Sequence, residues 1–509
     1  MRKGFAVLCI VLVFAICTGH ATMASQDDTA RYIVRFKADN LKLKDASRTD
    51  VINALQQNLK SNLKSVAKVV KSPANANINH LWVANAFALD ASEDEIARIS
   101  KLPNVAEVFR SKYKIFIDKD IAKKDVKADP AVIQWGIQKV RAPEVWQKHR
   151  IDGAGVVVGI IDTGIDGNHP ALAGKILSFK DFTPEQSPTP TDTQGHGTHV
   201  AGTVAGSQGV GVAPGARLII GRVFDTNGGT TEEILLNGMQ WMLDPDGVAE
   251  TNDGPRLINN SWGSDDSVDK TFWVAVENWV AAGILPVYAA GNNGMWGGKV
   301  GTPAAFPHSW AVAATTSTDA LAYFSSQGPI AWDGVPLMKP DIAAPGDKII
   351  SCKIGGGLVS NSGTSMACPH VAGVAALMYQ ADPTLTIDQV RLIAEETAKD
   401  LGAAGKDGKF GSGLIDSYKI VEKVLQNSGL ASAFDAYESA IHAEKALIGM
   451  QAVSPLAAPL ARSIVERSLD LDEGQFRALM ISVNQNGGEA ALALLKEATS
   501  ARLASQLHK

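Results

Sequence analysis

The sequence predicts an α/β protein: a mostly parallel sheet covered by helices on both faces, three layers in all. A small α+β domain precedes it and an α-helical extension follows. Two observations carry this reading. Between Gln134 and about Leu425, near-continuous apolar runs (Val156 to Ile161, Arg217 to Phe224, Leu257 to Asn260, Leu285 to Ala289) alternate with helical stretches at His196–Val204, Thr231–Leu243, Phe272–Ala282 and Ser365–Gln380. Strands apolar on both faces belong to parallel sheets buried between helices. A shorter β-α-β-α-β order precedes this region, and a segment rich in Ala, Leu and Glu follows it.

The elements follow in chain order. Residues 1–24 have the layout of a secretory signal: Arg2 and Lys3, an apolar run from Phe5 to Ile16, then small residues at Gly19, Ala21 and Ala24. The run is short for a membrane span, and neither Cys9 nor Cys17 follows the small residue a lipidation site wants. The expectation is a secreted protein, extracellular or periplasmic, with no stable membrane anchor once the signal is removed. Residues 30–118 form the α+β domain: a half-buried strand at Tyr32–Lys37, a helix with Ile52, Leu55, Leu59, Leu63 and Val66 on one face, and a second strand from Leu81 to Leu89. A capping box at Ser92 and Glu95 then opens a second helix, and a strand follows at Val105–Phe109. Residues 119–133 read as a linker, because Lys119 to Pro130 lacks apolar periodicity. Residues 134–425 are the α/β domain. Residues 426–509 read as a helical extension, in which Phe434, Tyr437, Ile441 and Ile448 share one face.

Composition narrows the function. A net charge of −5 without any Lys/Arg cluster gives no argument for nucleic acid or for an anionic membrane surface, and no nucleic-acid partner is expected. Of four cysteines, Cys352 and Cys368 remain after the signal, and their spacing suits either a disulfide or two separate buried thiols.

Chemistry concentrates in four segments. Asn361-Ser362-Gly363-Thr364-Ser365 delivers a serine to a helix start, where unpaired N–H groups and the dipole favour a nascent oxyanion; an ordinary helix cap would look the same in isolation. Ile161-Asp162-Thr163-Gly164 ends a buried strand in a carboxylate, and Gly195-His196-Gly197-Thr198-His199 puts an imidazole on the first turn of a helix. Carboxylate, imidazole and hydroxyl are the parts of a charge-assisted nucleophile. The spacing of His196 and His199 also suits a metal half-site, but no Glu follows the first histidine and no third ligand is evident, so no metal is assigned. Ala289-Ala290-Gly291-Asn292-Asn293 ends another strand in an amide able to donate to an oxyanion.

Asp162-Thr163-Gly164-Ile165-Asp166, His196-Gly197-Thr198-His199-Val200-Ala201-Gly202 and Gly363-Thr364-Ser365-Met366-Ala367, in that order, resemble the three catalytic motifs of the subtilisin-like serine proteases. Met239–Leu243 and Asn259–Gly263 lean towards the bacillopeptidase F-like branch. The resemblance implies a secreted serine endopeptidase acting on proteins and peptides. In it Ser365 would be the nucleophile, His196 the general acid/base, Asp162 its orienting partner, and Asn292 with the Ser365 N–H the oxyanion hole. Ser261, Trp262 and Gly263 would pair with the substrate backbone, with Gly228 and Gly229 opposite, making the substrate a middle strand. Ala290, Gly291 and Gly301 would line the pocket for the side chain before the cut bond, and the absence of an acidic residue among these positions points to an apolar or broad preference. Residues 30–118 resemble the family's propeptide, an intramolecular chaperone and inhibitor, with self-cleavage expected between about Asp118 and Val132. No cofactor is required by this reading. The stretch from Gly202 to Ala213 lacks the Asn-bearing loop that supplies a tight calcium site in secreted subtilisins, which leaves room only for a weaker, unassigned calcium site.

Overall fold

The computed structural model describes residues 29–427 apart from 38–40, 42, 44–45, 71–76, 118–123 and 127–131. The signal segment, most of the linker and the C-terminal extension beyond Asn427 lie outside the described residues.

The N-terminal unit comprises β1 (Ala30–Phe36), α1 (Arg48–Val66), β2 (Asn79–Leu81), β3 (Ala86–Ala91), α2 (Glu93–Ile99) and β4 (Val105–Arg110). Its strands form an antiparallel sheet in the order β2-β3-β1-β4. Ser47 caps α1 by accepting the Asp50 N–H, and Ser92 and Glu95 make the expected capping box on α2. Val34, Phe36, Leu59, Phe87, Leu89 and Ile99 close a core of their own. The single strand expected from Leu81 to Leu89 is interrupted: Trp82–Ala84 form a 3₁₀ turn, and Asn85 follows in the left-handed region at φ 49°. The cause is tertiary. Val83 is drawn out of the sheet by two bonds to the next domain, its N–H donating to Gln240 Oε1 (3.2 Å) and its carbonyl accepting from Asn278 Nδ2 (2.7 Å).

The chain continues through β5 (Tyr113–Ile115), β6 (Lys124–Val126), α3 (Trp135–Lys139), α4 (Ala142–His149), β7 (Val157–Asp162), β8 (Ile176–Asp181), α5 (His196–Ala205), β9 (Arg217–Arg222), β10 (Gly229–Thr231) and α6 (Glu232–Trp241). It then forms β11 (Leu257–Asn260), α7 (Trp273–Ala281), β12 (Leu285–Ala289), β13 (Trp310–Thr315), a hairpin of β14 (Ile330–Trp332) and β15 (Val335–Leu337), β16 (Ile342–Pro345), β17 (Ile349–Cys352) and β18 (Leu358–Asn361). Helices α8 (Thr364–Ala381), α9 (Ile387–Thr397) and α10 (Ser417–Asn427) complete the described chain.

Seven strands form one parallel sheet in the order β16-β13-β12-β11-β7-β9-β8. Alternation along the strands divides the core in two. Val158, Ile160, Leu218 and Val287 face the layer holding α5 and α8, while Ile161, Ile219, Ile258 and Tyr288 face the layer holding α6 and α7. That second cluster also takes in Ile33, Ile52 and Val83 of the N-terminal unit, which is seated on α6 and α7. Strand β7 lies where the winding reverses, with β9 on one side and β11 on the other, so the crevice beyond its carboxyl end is the place where this class of sheet collects functional groups.

A buried charge network pins the β16 edge. Lys339 Nζ donates to Asp341 Oδ2 (2.6 Å) and to the Ser309 carbonyl (2.6 Å), while Arg391 and Lys406 approach Asp341 Oδ1 at 3.4 and 3.0 Å. Burial opposes ionisation of Asp341, but Lys339, Arg391 and Lys406 outweigh it and hold the carboxyl at about 2, against an ordinary 3.8. A depressed carboxyl contributes stability above its unfolded value and loses it as pH falls through its folded value, so this part of the stability disappears between about pH 4 and 2. Asp341→Asn leaves Lys339 buried without its counter-charge and is expected to cost about 3–5 kcal/mol at neutral pH. Guanidinium unfolding midpoints at pH 7 and pH 2.5, measured in a Ser365→Ala background, test both statements.

Candidate active site

The carboxyl end of β7 meets the amino end of α5 through two glycines. A Cβ on Gly197 would lie 2.2 Å from the Gly164 carbonyl oxygen, and one on Gly164, at φ 108°, would lie 1.9 Å from that of Thr191. Thr163 Oγ1 accepts the Gly197 N–H (2.9 Å), docking the helix start on the strand end. The result is a close pair. His196 Nδ1 donates to Asp162 Oδ1 (2.8 Å) and Oδ2 (3.0 Å), and Asp162 is fully buried. That bond fixes the imidazole's tautomer and turns Nε2 to the far side of the ring.

Ser365 sits in the first turn of α8, against the end of β11. Its hydroxyl donates to the Ser261 carbonyl (3.0 Å), and the Ser261 hydroxyl donates back to the Ser365 carbonyl (2.9 Å). The second bond has a sequence cause. Residue 369 is a proline inside the helix, so it has no N–H to give the carbonyl four residues before it, and that carbonyl belongs to Ser365. Cys368, on the next turn, is fully buried with Sγ 3.8 Å from the Asn260 carbonyl, and burial pushes its thiol well above the ordinary range. Burial likewise raises Cys352 to about 12, and both cysteines are free. Neither is a ready thiolate nucleophile.

Asn292 follows β12 and is aimed by Thr364. The Thr364 N–H and Oγ1 both donate to Asn292 Oδ1 (2.9 and 3.0 Å), which turns the amide NH₂ towards Gly363; a Cβ on Gly363 would lie 3.7 Å from Nδ2. The Gly291 N–H donates to the same threonine hydroxyl (3.1 Å). Gly301 N–H reaches the Ala290 carbonyl (3.4 Å), and a Cβ on Gly301 would lie 1.7 Å from the Ser264 carbonyl oxygen, so Ala290, Gly291 and Gly301 form one wall. The same wall brings Asp265 and Asp266 close, through an Asn293–Asp265 side-chain bond and the Thr302 N–H on the Asp266 carbonyl (2.8 Å). Of the two, only Asp265 meets this wall through its carboxylate; Asp266 meets it through its main-chain carbonyl, while its carboxylate accepts the Val268 N–H (2.8 Å).

A cleft leads to these groups, and the chain's own residues 113–117 lie in it. β5 pairs antiparallel with β10, Gly229 opposite Ile115 and Thr231 opposite Tyr113. Phe116 and Ile117 donate their N–H groups to the Gly228 carbonyl (3.1 and 3.2 Å), and Gly263 donates to the Phe116 carbonyl (3.2 Å) from the other side. Residues 113–117 are thus a middle strand between Gly228–Thr231 and Gly263. Phe116 enters an aromatic box, with ring centroids 6.1, 6.2 and 5.9 Å from Phe224, Trp262 and Phe272.

Of the residues singled out from sequence, His199 lies apart from the chemistry, buried with Nε2 3.0 Å from the Ile349 carbonyl. Asp166 caps a turn by accepting the Asn168 N–H (3.0 Å). Phe116, Phe224 and Phe272 of the aromatic box, the orienting Thr364 and the rim carboxylate Glu232 escaped the sequence reading. Thr364 stands inside the serine motif, but Asn292, whose amide it orients, lies 72 residues away, so nothing local in the sequence points to the pairing. Asp244, Asp246 and Asp253 gather away from this cleft, where Asp246 already accepts from the Val248 N–H and the Thr251 hydroxyl.

The chain is similar to known proteins over most of its length. Residues 153–413 match the family model described as the subtilase family, and residues 31–113 match that of peptidase inhibitor I9. Bacillopeptidase F of Bacillus subtilis (strain 168) is 33% identical over 80% of this chain, a match that takes in 31% of that protein's length. Subtilisin E of the same organism is 32% identical over 80% of this chain and 95% of its own. Subtilisin Savinase of Lederbergia lenta is 37% identical over 56% of this chain and 97% of its own.

Proposed function

Because the chain belongs to the subtilase family, a family of serine endopeptidases, and carries an I9 inhibitor domain ahead of the protease, we propose that it is secreted as a zymogen that cuts itself and then hydrolyses proteins through Ser365, His196 and Asp162. The observation that carries this reading is the buried Asp162–His196 bond, standing where β7 ends beside α5. In this reading the Ser365 hydroxyl leaves the Ser261 carbonyl for His196 Nε2, which takes its proton as Oγ attacks the substrate carbonyl. His196 then returns the proton to the departing amine, Asp162 stabilising the imidazolium between the two steps. A water molecule repeats the sequence on the acyl-enzyme. No bound metal is needed for either half.

The oxyanion falls to the Asn292 amide and the Ser365 N–H at the start of α8, where the helix dipole adds to both. Asn292→Ala should lower kcat by about a hundredfold or more, with KM little changed. Hydrolysis of a chromogenic peptide by the processed variant checks this; an unaltered kcat removes Asn292 from the role.

Self-cleavage is supported by what flanks residues 118–123. Residues 113–117 lie along Gly228–Thr231, while β6 pairs with β18, which runs directly into Gly363 and Ser365. In this reading the chain approaches Ser365 from both sides and the cut falls between residues 117 and 124, which overlaps the interval expected from sequence. Secretion rests on residues 1–24; among the described residues no helix is long and apolar enough to cross a membrane.

A further inference from the structure

Glu232 is an unusual carboxylate for a protease rim. It opens α6 immediately after β10, its side chain is only 3% exposed, and both its oxygens are engaged by the strand in the cleft. Oε2 accepts the Lys112 N–H (2.8 Å) and Oε1 pairs with Lys114 Nζ (2.8 Å). Strand alternation puts Lys114 on the same face as Phe116, so one side chain meets Glu232 while the other fills the aromatic box. Lys114 is partly desolvated, yet Glu232, Asp269 and Asp266 together raise its pKa. Asp225 extends the same acidic edge, accepting the Tyr113 hydroxyl (2.8 Å).

All of these partners leave when the propeptide does. Glu232 then remains as a carboxylate without these partners, at the edge of an empty groove. We propose that Glu232 is a specificity-determining residue of the mature enzyme, selecting substrates with Lys or Arg two residues before the large apolar side chain that enters the Phe224–Trp262–Phe272 box. This deepens the proposed function and rests on residues 113–117 marking the substrate groove. A basic side chain at that position restores the ion pair, and the strand's own N–H two residues earlier restores the second bond. A neutral side chain leaves the carboxylate without its cation, and an acidic one sets like charges together.

The test uses enzyme matured from the full chain and internally quenched peptides spanning the sequence of residues 110–123, with Lys, Gln or Glu at position 114. Wild type should prefer Lys over Gln by about threefold in kcat/KM, mainly through KM, and over Glu by more. In Glu232→Gln the Lys-to-Gln ratio should fall to near one. A ratio near one in wild type, or the same preference in both enzymes, overturns the inference; the wild-type series decides by itself if the variant does not mature. Casein digestion by the same preparations separates the two levels. If casein is cut without a preference for Lys, this inference alone falls, whereas failure to cut either casein or peptide removes the protease reading and this inference with it.

Discussion

Purified Ser365→Ala should keep its propeptide attached and hydrolyse peptides about a millionfold more slowly than wild type, a magnitude carried over from the relative subtilisin rather than from this geometry. The expectation rests on where Ser365 stands. Its backbone is anchored independently of its hydroxyl, by the Ser261 hydroxyl on its carbonyl and by the Gly363–Met366 turn, so removing Oγ leaves the helix start in place. Asp162 and His196 keep their bond, because neither depends on Ser365 for its partner. The variant therefore isolates chemistry from folding. Incubated alone it should show no cut between residues 117 and 124, and trace amounts of active enzyme should then supply the cut. Processing of the isolated variant at the same place would end the self-cleavage reading, and a fluorophosphonate label on any residue other than Ser365 in the wild-type enzyme would end the assignment of the nucleophile.

Phe116→Ala should weaken inhibition by the released propeptide about a hundredfold, read as its inhibition constant on the processed enzyme. Phe116 is 93% buried, at 7% exposure, in a box whose other members come from the enzyme. Truncation forfeits the ring's buried area and its edge contacts, of which the contact with Trp262 is perpendicular at 89°. The rest of the interface persists, since Arg31 still grips Glu233 through two bonds (2.7 and 2.6 Å) and Asn278 still holds Val83. Inhibition should therefore be weaker rather than absent. An unchanged constant would show that the box contributes shape without affinity.

Much of this was legible in the sequence, and particular residues show why. Asp162, His196 and Ser365 each stand at the junction of a strong apolar run and a glycine-containing turn, where a polar side chain has few structural excuses. Helices α5 and α8 are helical over nearly the predicted spans, as their small and apolar residues require. Strands β13 and β16 passed unnoticed because Trp310–Thr315 and Ile342–Pro345 are alanine-rich and carry little β signal. The aromatic box was illegible for another reason. Phe116, Phe224, Trp262 and Phe272 are spread over the chain, and each is merely one apolar residue at the edge of its element until the fold gathers them. Leu81–Leu89 failed as a single strand because its partners, Gln240 and Asn278, lie far downstream.

Pro369 has an effect that reaches beyond its own helix. By withholding one rung it leaves a main-chain oxygen unclaimed, and the hydroxyl that takes it belongs to Ser261, two residues from Gly263. The Ser261–Gly263 segment and the start of α8 are thereby tied in both directions, since the Ser365 hydroxyl also donates to the Ser261 carbonyl.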